Sequence, residues 1–380
     1  MWGAPVSCTP SAAICQDGHC ICTPGRTACD GACVDDMTDS ANCGGCGIGC
    51  TGTTSFCAQG ACTSPPPSCQ TTGDGLTNCG AMSESCCTSL GVPGGTYART
   101  YVYDGGALTG SADPATVSGF RLDKFEVTVG RFRQFVNAWN GGWLPSAGSG
   151  KHIHLNDGNG LADTVVPGAY ESGWATANNS LIAPTDYNLS CPNGAYNTTQ
   201  SVYPTWTPAP GTQENLPINC VNWLEAYAFC IWDGGFLPSE AEWGYAAAGG
   251  NQQREYPWGS ADPGTANQYA IYGCLFPDGT GDCTKISNIA RVGTATAGYG
   301  LWGQLDLAGN VGEWSLDWVY HLVDPCVDCA NLDDPPPPTK VTLGGDFEFS
   351  LLGGSYLDNP NLVPPENRSV EIGLRCARMP

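Results

Sequence analysis

The chain has 380 residues, of which 36 are acidic and 14 are Lys or Arg, so its formal net charge is −22. This charge excludes a basic surface for nucleic acid, and no apolar run reaches the roughly 18 residues that a transmembrane helix needs. With 52 Gly and 29 Pro but only 13% charged residues, the composition favours a loop-rich chain of two or three domains over a helical bundle.

Cysteines are concentrated near the start of the chain, where residues 1–87 contain 15 of the 23. This density is typical of a disulfide scaffold, which a reducing cytosol would not keep oxidised. We therefore expect an extracytoplasmic protein, whether secreted, attached to a cell surface or periplasmic. The first eight residues have neither the basic nor the apolar region of a signal peptide, so we expect that an upstream segment has been removed.

The cysteine spacing contains a repeat. Three early cysteines follow one another at the same intervals, seven and five positions, as three later ones: Cys8, Cys15 and Cys20 against Cys50, Cys57 and Cys62. We interpret residues 1–21 as a truncated repeat, to which the odd cysteine belongs, and residues 22–63 as a complete unit of eight cysteines. The unit has too few apolar residues for a core, so disulfides must supply its order. It resembles the Stig1-like cysteine-rich repeats of extracellular proteins, which predicts a stalk, spacer or adhesive module.

Two Cys-x-x-Cys pairs, Cys43 with Cys46 and Cys326 with Cys329, have the spacing of zinc ligands. They lie in different predicted domains and no histidine follows at the spacing of a zinc finger, so disulfides are the favoured interpretation and zinc is the alternative. Residues 64–88 combine a stiff triproline spacer with a short knot of four cysteines, and the largest domain is predicted to span residues 89–380.

The large domain begins with two strand-like runs, residues 96–103 and 119–128, rich in aromatic and β-branched residues. Residues 129–139 place apolar side chains at helical spacing, which predicts an amphipathic helix. A second helix is predicted over residues 222–232, and a third after Ser239, where Glu242 completes a capping box. Long stretches rich in Gly, Pro and Asn separate these elements and predict loops packed on a small scaffold.

Seven segments in this order resemble the formylglycine-generating enzyme, or sulfatase-modifying factor, family. They read Leu122-Asp-Lys-Phe-Glu-Val-Thr128, Pro217-Ile-Asn-Cys-Val-Asn-Trp223, Leu237-Pro-Ser-Glu-Ala-Glu-Trp243, Tyr256-Pro-Trp-Gly259, Gly300-Leu-Trp-Gly-Gln-Leu-Asp-Leu-Ala-Gly-Asn-Val-Gly-Glu-Trp314, Gly353-Gly-Ser-Tyr356 and Ile372-Gly-Leu-Arg-Cys376. The resemblance implies an α+β fold of the C-type-lectin-like kind, poor in regular secondary structure, with the disulfide-rich module in front of it.

The resemblance also implies calcium. One family site uses a side chain at the Asp306 position, the backbone carbonyls of Gly309 and Val311, and the carboxylate of Glu313, which are the hard oxygen ligands that Ca²⁺ prefers. In the alternative interpretation, Glu313 caps the turn and Asp306 is a solvated loop carboxylate. A second, weaker calcium site would involve Asn267 and Asp282. The family disulfide falls on Cys230 and Cys376, and spacing suggests a bond between Cys274 and Cys283.

The family reaction oxidises a substrate cysteine to formylglycine with O₂ and Cu(I), and it needs two cysteines because soft thiolates select Cu(I). After Ser355, the two positions are Asp358 and Val363, so neither thiol is present and copper is not expected. Gly312 replaces an aromatic residue of the family pocket. We therefore predict a protein that does not generate formylglycine.

Iron chemistry of the ergothioneine type needs three histidines, and only four exist in the chain. The pair His152 and His154 could hold a metal if it lay on a strand, but two exposed loop imidazoles are the favoured interpretation. Two function classes then stay open. One is a calcium-stabilised binding or structural domain for an extracellular glycan, peptide or protein surface, with self-association left open. The other is a divergent oxidoreductase or sulfatase-modifying enzyme centred on Ser355 and Asp358.

Overall fold

A computed structural model describes most of the chain, in two compact units that span Met1–Pro66 and Pro67–Pro380. The described residues are 13–16, 19–22, 26–29, 32–104, 107–192, 203–283, 285–319, 322, 324, 326–333, 338–348 and 361–380. In this part of the chain, no helix is long and apolar enough to cross a membrane.

The small unit consists of three short antiparallel hairpins. They pair β1 (Ala13–Gln16) with β2 (His19–Cys22), β3 (Thr27–Cys29) with β4 (Ala32–Val34), and β5 (Phe56–Ala58) with β6 (Ala61–Thr63). In the first hairpin Cys15 lies opposite Cys20, and in the third Cys57 lies opposite Cys62. The same backbone register at both places agrees with the repeat predicted from the cysteine spacing.

Disulfides supply the order of the small unit, as the near absence of apolar residues predicts. Its four bonds interlace and join Cys22 to Cys33, Cys29 to Cys46, Cys43 to Cys57 and Cys50 to Cys62. Both cysteines of the 43–46 pair are thus bonded to other partners, and Cys326 is bonded to Cys329. The zinc alternative has no thiolate left at either pair.

In its described residues, the large unit combines three α-helices and four small sheets, which confirms the predicted α+β class. Its strands are β7 (Ser89–Val92), β8 (Gly95–Asp104), β9 (Ala107–Val117), β10 (Phe120–Asp123), β11 (Ala162–Asp163), β12 (Gly312–Trp318), β13 (Cys326–Val327), β14 (Cys329–Ala330), β15 (Lys340–Leu343), β16 (Asn361–Val363), β17 (Ile372–Gly373) and β18 (Ala377–Arg378). The sheet orders are β18-β10-β7, β16-β15-β12-β17, β13-β9-β8 and β11-β14.

The three helices lie where the sequence predicts them. They are α1 (Val129–Asn140), α2 (Trp223–Trp232) and α3 (Glu240–Ala247). Asn222 and Ser239 cap α2 and α3, each within a capping box closed by the glutamate three residues on. The predicted strand at residues 119–128 is shorter than expected, because β10 ends at Asp123 and Thr128 already caps α1.

A buried network of two arginines and two aspartates joins the ends of these elements. Arg131 of α1 and Arg378 of β18 both pair with Asp123 of β10 and with Asp233 at the end of α2, over 2.7–3.1 Å. Ser68, in the segment before the domain, donates its backbone N–H to Asp233 and accepts from Arg131. Burial opposes the charge on Asp233, but the two guanidinium groups outweigh it and lower its pKa.

We expect the network to be a main source of stability in the large unit. The substitution Arg131→Met should lower the free energy of unfolding by about 3–5 kcal/mol, because it leaves two buried carboxylates, Asp123 and Asp233, to share the one remaining guanidinium group of Arg378. The matched control is Lys124→Met, which breaks the partly exposed pair of Lys124 with Glu84 and should cost less than about 1 kcal/mol. Equilibrium urea unfolding measures both; equal losses would contradict this assignment.

Candidate functional site

The loop from Asp306 to Glu313 has a backbone that few sequences can adopt. Asp306, Gly309 and Asn310 have φ angles of 58°, 83° and 66°, in the left-handed region that glycine and asparagine tolerate best. A side chain at Gly309 would collide with the carbonyl of Ile271. The loop is held on two sides, because Asn310 donates its N–H to Ile271 and Gly309 donates its own to Gly344.

Both predicted calcium carboxylates lie in this loop and are buried. Asp306 accepts a 2.6 Å hydrogen bond from the N–H of Gly293. Glu313 accepts two 2.6 Å bonds from Arg375, one on each oxygen, and a third from the indole N–H of Trp243 on Oε2. Its Oε1 therefore carries one hydrogen bond and keeps a lone pair for another partner. The alternative of a solvated Asp306 is wrong, because only 4% of this residue is exposed.

A third carboxylate, which the sequence did not predict as a calcium ligand, lies beside them. Glu126 is fully buried and accepts from the side-chain amide of Asn310 at 2.7 Å and from the N–H of Val311 at 3.0 Å. It stands in the segment Leu122–Thr128, which was used for the family resemblance, but there it reads as one residue of a strand. Only the fold brings it to the loop.

Ionisation of all three carboxylates would leave the loop with an excess of buried negative charge. Glu126, Asp306 and Glu313 would then carry three negative charges against one positive charge on Arg375, a net of −2. Burial, and then the charges of Asp306 and Glu313, raise the pKa of Glu126 well above its ordinary value. Burial also raises the pKa of Asp306 to about 6, although the N–H of Gly293 and Arg375 act against it. Hard oxygen atoms with this excess charge fit one divalent calcium ion.

The second predicted calcium site, at Asn267 and Asp282, has fewer buried oxygen atoms than the first. Asn267 has a positive φ of 55°, and its side-chain nitrogen donates to the carbonyl of Leu275 at 3.2 Å. Its side-chain oxygen is buried without a hydrogen-bond partner, as a missing ligand would leave it. Asp282 is exposed to solvent, next to the disulfide that joins Cys274 to Cys283.

The predicted catalytic positions are only partly visible. Ser355 and Asp358 lie outside the described residues, whereas Val363 is a buried residue of β16, opposite Lys340 of β15. The text Gly-Gly-x-aromatic also occurs nine positions earlier, as Gly344-Gly345-Asp346-Phe347. The fold places this earlier copy against the loop from Asp306 to Glu313, since Phe347 donates its N–H to the carbonyl of Asn310. Sequence reasoning considered only the later copy.

All cysteines of the large unit form disulfides. They join Cys69 to Cys87, Cys79 to Cys86, Cys191 to Cys220, Cys230 to Cys376, Cys274 to Cys283 and Cys326 to Cys329. With the four bonds of the small unit, every cysteine from Cys22 onward has a partner. The prediction that the odd cysteine belongs to residues 1–21 concerns Cys8, Cys15 and Cys20, whose side chains lie outside the described part of the structure.

The expectation of two exposed imidazoles is wrong. His152 is fully buried, and its ring nitrogens lie 2.9 Å from Glu171 and 3.1 Å from Glu242. Burial disfavours its charge, but the two carboxylates outweigh burial and raise its pKa to about 10. His154 is half-buried, packs on Phe236, and has a lowered pKa because of burial. The loop folds inward here because the carboxylates neutralise His152, which spacing alone could not show.

This arrangement predicts a pH dependence of stability. Between pH 7 and 9 the folded protein holds a proton on His152 that the unfolded chain, with a pKa of about 6.5, has lost. The free energy of unfolding should therefore fall by about 1.4 kcal/mol per pH unit from this group. Urea unfolding of His152→Gln should lack this contribution, whereas the control His154→Gln should keep it. An unchanged slope in His152→Gln would refute the assignment.

Two surface features could receive a ligand. The rings of Tyr256, Trp258 and Tyr269 form a stack, with centroids 4.8 Å and 5.3 Å apart, of which Trp258 and Tyr269 are partly exposed. A groove of about 520 Å³ separates residues 71–76 from α1 and from residues 210–214. Arg133 in this groove is already paired with Glu214. The charged group of the groove is therefore already engaged, whereas the stack presents two partly exposed rings.

Comparison with known proteins identifies relatives across the large unit. The family described as "Sulfatase-modifying factor enzyme 1-like domain" matches residues 79–380. A formylglycine-generating enzyme of Thermomonospora curvata is 29% identical over 77% of this chain and 93% of its own length. The protein named "Inactive C-alpha-formylglycine-generating enzyme 2" of Mus musculus is 28% identical over 75% of this chain and 84% of its own. A hercynine oxygenase of Mycolicibacterium smegmatis is 29% identical over 76% and 58%.

Proposed function

The chain belongs to the sulfatase-modifying factor enzyme 1-like domain family over residues 79–380, and from that premise we propose that it is a non-catalytic member, a calcium-stabilised binding domain preceded by a cysteine-rich module. The ten disulfides among the described residues favour an extracytoplasmic location. The resemblance to a mouse protein whose name calls it inactive supports the idea that this domain can serve without the oxidase reaction.

The observation that carries the proposal is the state of the cysteines. All eleven cysteines between residues 79 and 380 are used in disulfides, so the family domain has no thiolate to offer Cu(I), which selects soft sulfur ligands. Val363 adds to this, because its buried isopropyl group has no donor atom. The residues present therefore do not fit copper.

A direct assay tests the loss of the reaction. The protein is incubated with Cu(I), O₂ and a peptide containing Cys-x-Pro-x-Arg, and mass spectrometry follows aldehyde formation. We expect no conversion, while a formylglycine-generating enzyme run in parallel converts the peptide. Conversion by this protein would refute the proposal and would favour the second candidate, an enzyme with a remodelled site around Ser355 and Asp358.

The proposed ligand is an extracellular glycan, peptide or protein surface. The partly exposed aromatic stack of Tyr256, Trp258 and Tyr269 supports this, because aromatic rings supply large contact areas at low entropic cost. In this proposal calcium does no chemistry. It would be held by Asp306, Glu313 and the carbonyls of Gly309 and Val311, and it would neutralise the buried charge of the loop.

Calcium should raise stability through this loop. With calcium at about 100 times its dissociation constant, binding adds about 2.7 kcal/mol to the free energy of unfolding. The substitution Asp306→Asn should remove most of this gain. The matched control is Asp317→Asn: Asp317 is equally buried, accepts two backbone N–H groups and has a pKa likewise raised to about 6 by burial, but it lies outside the loop.

Thermal unfolding with calcium and with a chelator measures the gain for each variant. The control should keep the full calcium response of the wild type. Equal responses in all three proteins, or none in the wild type, would refute calcium binding at this loop.

A further inference from the structure

Glu126 makes contacts that no ligand assignment accounts for. It is fully buried, and it accepts two hydrogen bonds from the loop of residues 306–313. One comes from the side chain of Asn310 and the other from the N–H of Val311. The carbonyls of Gly309 and Val311 are proposed to hold the ion. Asn310 lies between these two residues, and Val311 is one of them. The carboxylate of Glu126 thus holds the backbone whose conformation sets the direction of both carbonyls.

Its charge matters as well as its position. Without Glu126, the loop would combine Asp306 and Glu313 with Arg375, which pairs with Glu313 at 2.6 Å, and its buried net charge would be −1. When it is ionised, Glu126 brings this net to −2. A single divalent cation neutralises a charge of −2, whereas a net of −1 would leave a buried positive charge after binding, at a cost in free energy.

We infer that Glu126 is a positioning and charge-balancing residue of the calcium site: it orients the Gly309–Val311 backbone and sets the buried charge for a divalent ion. This inference rests on the proposed calcium site. It requires no direct bond between Glu126 and the ion. Groups that orient metal ligands are often worth as much as the ligands themselves.

The experiment compares Glu126→Gln with the control Asp317→Asn in the full chain. Glutamine keeps the shape of the side chain and an acceptor for Val311 but removes the charge. Isothermal titration with CaCl₂ measures affinity, and luminescence of bound Tb³⁺ reports occupancy of this loop, because the indole nitrogen of Trp243 lies 2.7 Å from Glu313 and can sensitise the ion. We expect calcium affinity to fall about 10- to 100-fold in Glu126→Gln and to stay unchanged in the control.

Stability without calcium separates this role from a merely structural one. In chelator, the melting temperature of Glu126→Gln measures the structural part of the change, which includes the loss of the acceptor for the side-chain amide of Asn310. The calcium affinity of the folded variant measures the positioning role. A lower melting temperature in chelator with unchanged affinity would overturn the inference. If the wild type binds neither Ca²⁺ nor Tb³⁺, the calcium site itself fails; if it binds both and Glu126→Gln binds equally well, only the inference fails.

A second variant covers failure of the first to fold. Glu126→Asp keeps the charge but ends one methylene short of the N–H of Val311. A positioning role predicts that the folded variant also binds calcium at least several-fold more weakly, in line with the loss expected for a group that orients metal ligands. Wild-type affinity in this variant would overturn that role.

Discussion

The large unit depends on the neutralisation of charge that its fold buries. Arg375 reaches Glu313 with both ends of its guanidinium group and also donates to the backbone carbonyls of Asp123 and Leu305. Three residues on, Arg378 joins the network of Asp123, Asp233 and Arg131. One short C-terminal segment thereby ties β10, α1, α2 and the loop from Asp306 to Glu313 together. Buried ions of this kind persist only where partners are complete, and the net charge of −2 that this loop would hold when its carboxylates are ionised is what the proposed calcium ion would balance.

Disulfides stabilise both units and leave the large unit without a free thiol. In the small unit four bonds replace an apolar core. In the large unit the bond between Cys230 and Cys376 joins α2 to the segment that carries the two arginines. The same residue type would have to supply thiolates for Cu(I), and in this domain the cysteines are used for disulfides. The proposal of a binding domain follows from this use of cysteine.

Some features were readable from local sequence because their causes are local. The three helices were predicted, and the cap of α3 at Ser239 with them, since periodicity and a capping box act within four residues. The disulfide-rich module followed from density and spacing of cysteines. The predicted calcium ligands Asp306 and Glu313 came from the family resemblance, because their motif lies in one continuous segment.

The residues that the sequence could not assign are those whose partners are distant in the chain. Glu126 meets Asn310 across 184 positions, and His152 meets Glu242 across 90. Nothing in the sequence around His152 distinguishes an exposed imidazole from a buried one. Its burial depends on two carboxylates that stabilise its positive charge. The sequence by itself determined the family, the helices and the loss of the thiol pair, because those depend on residue identity. Only the tertiary structure decided which charges are buried and which are balanced, because burial and pairing are properties of the packed chain.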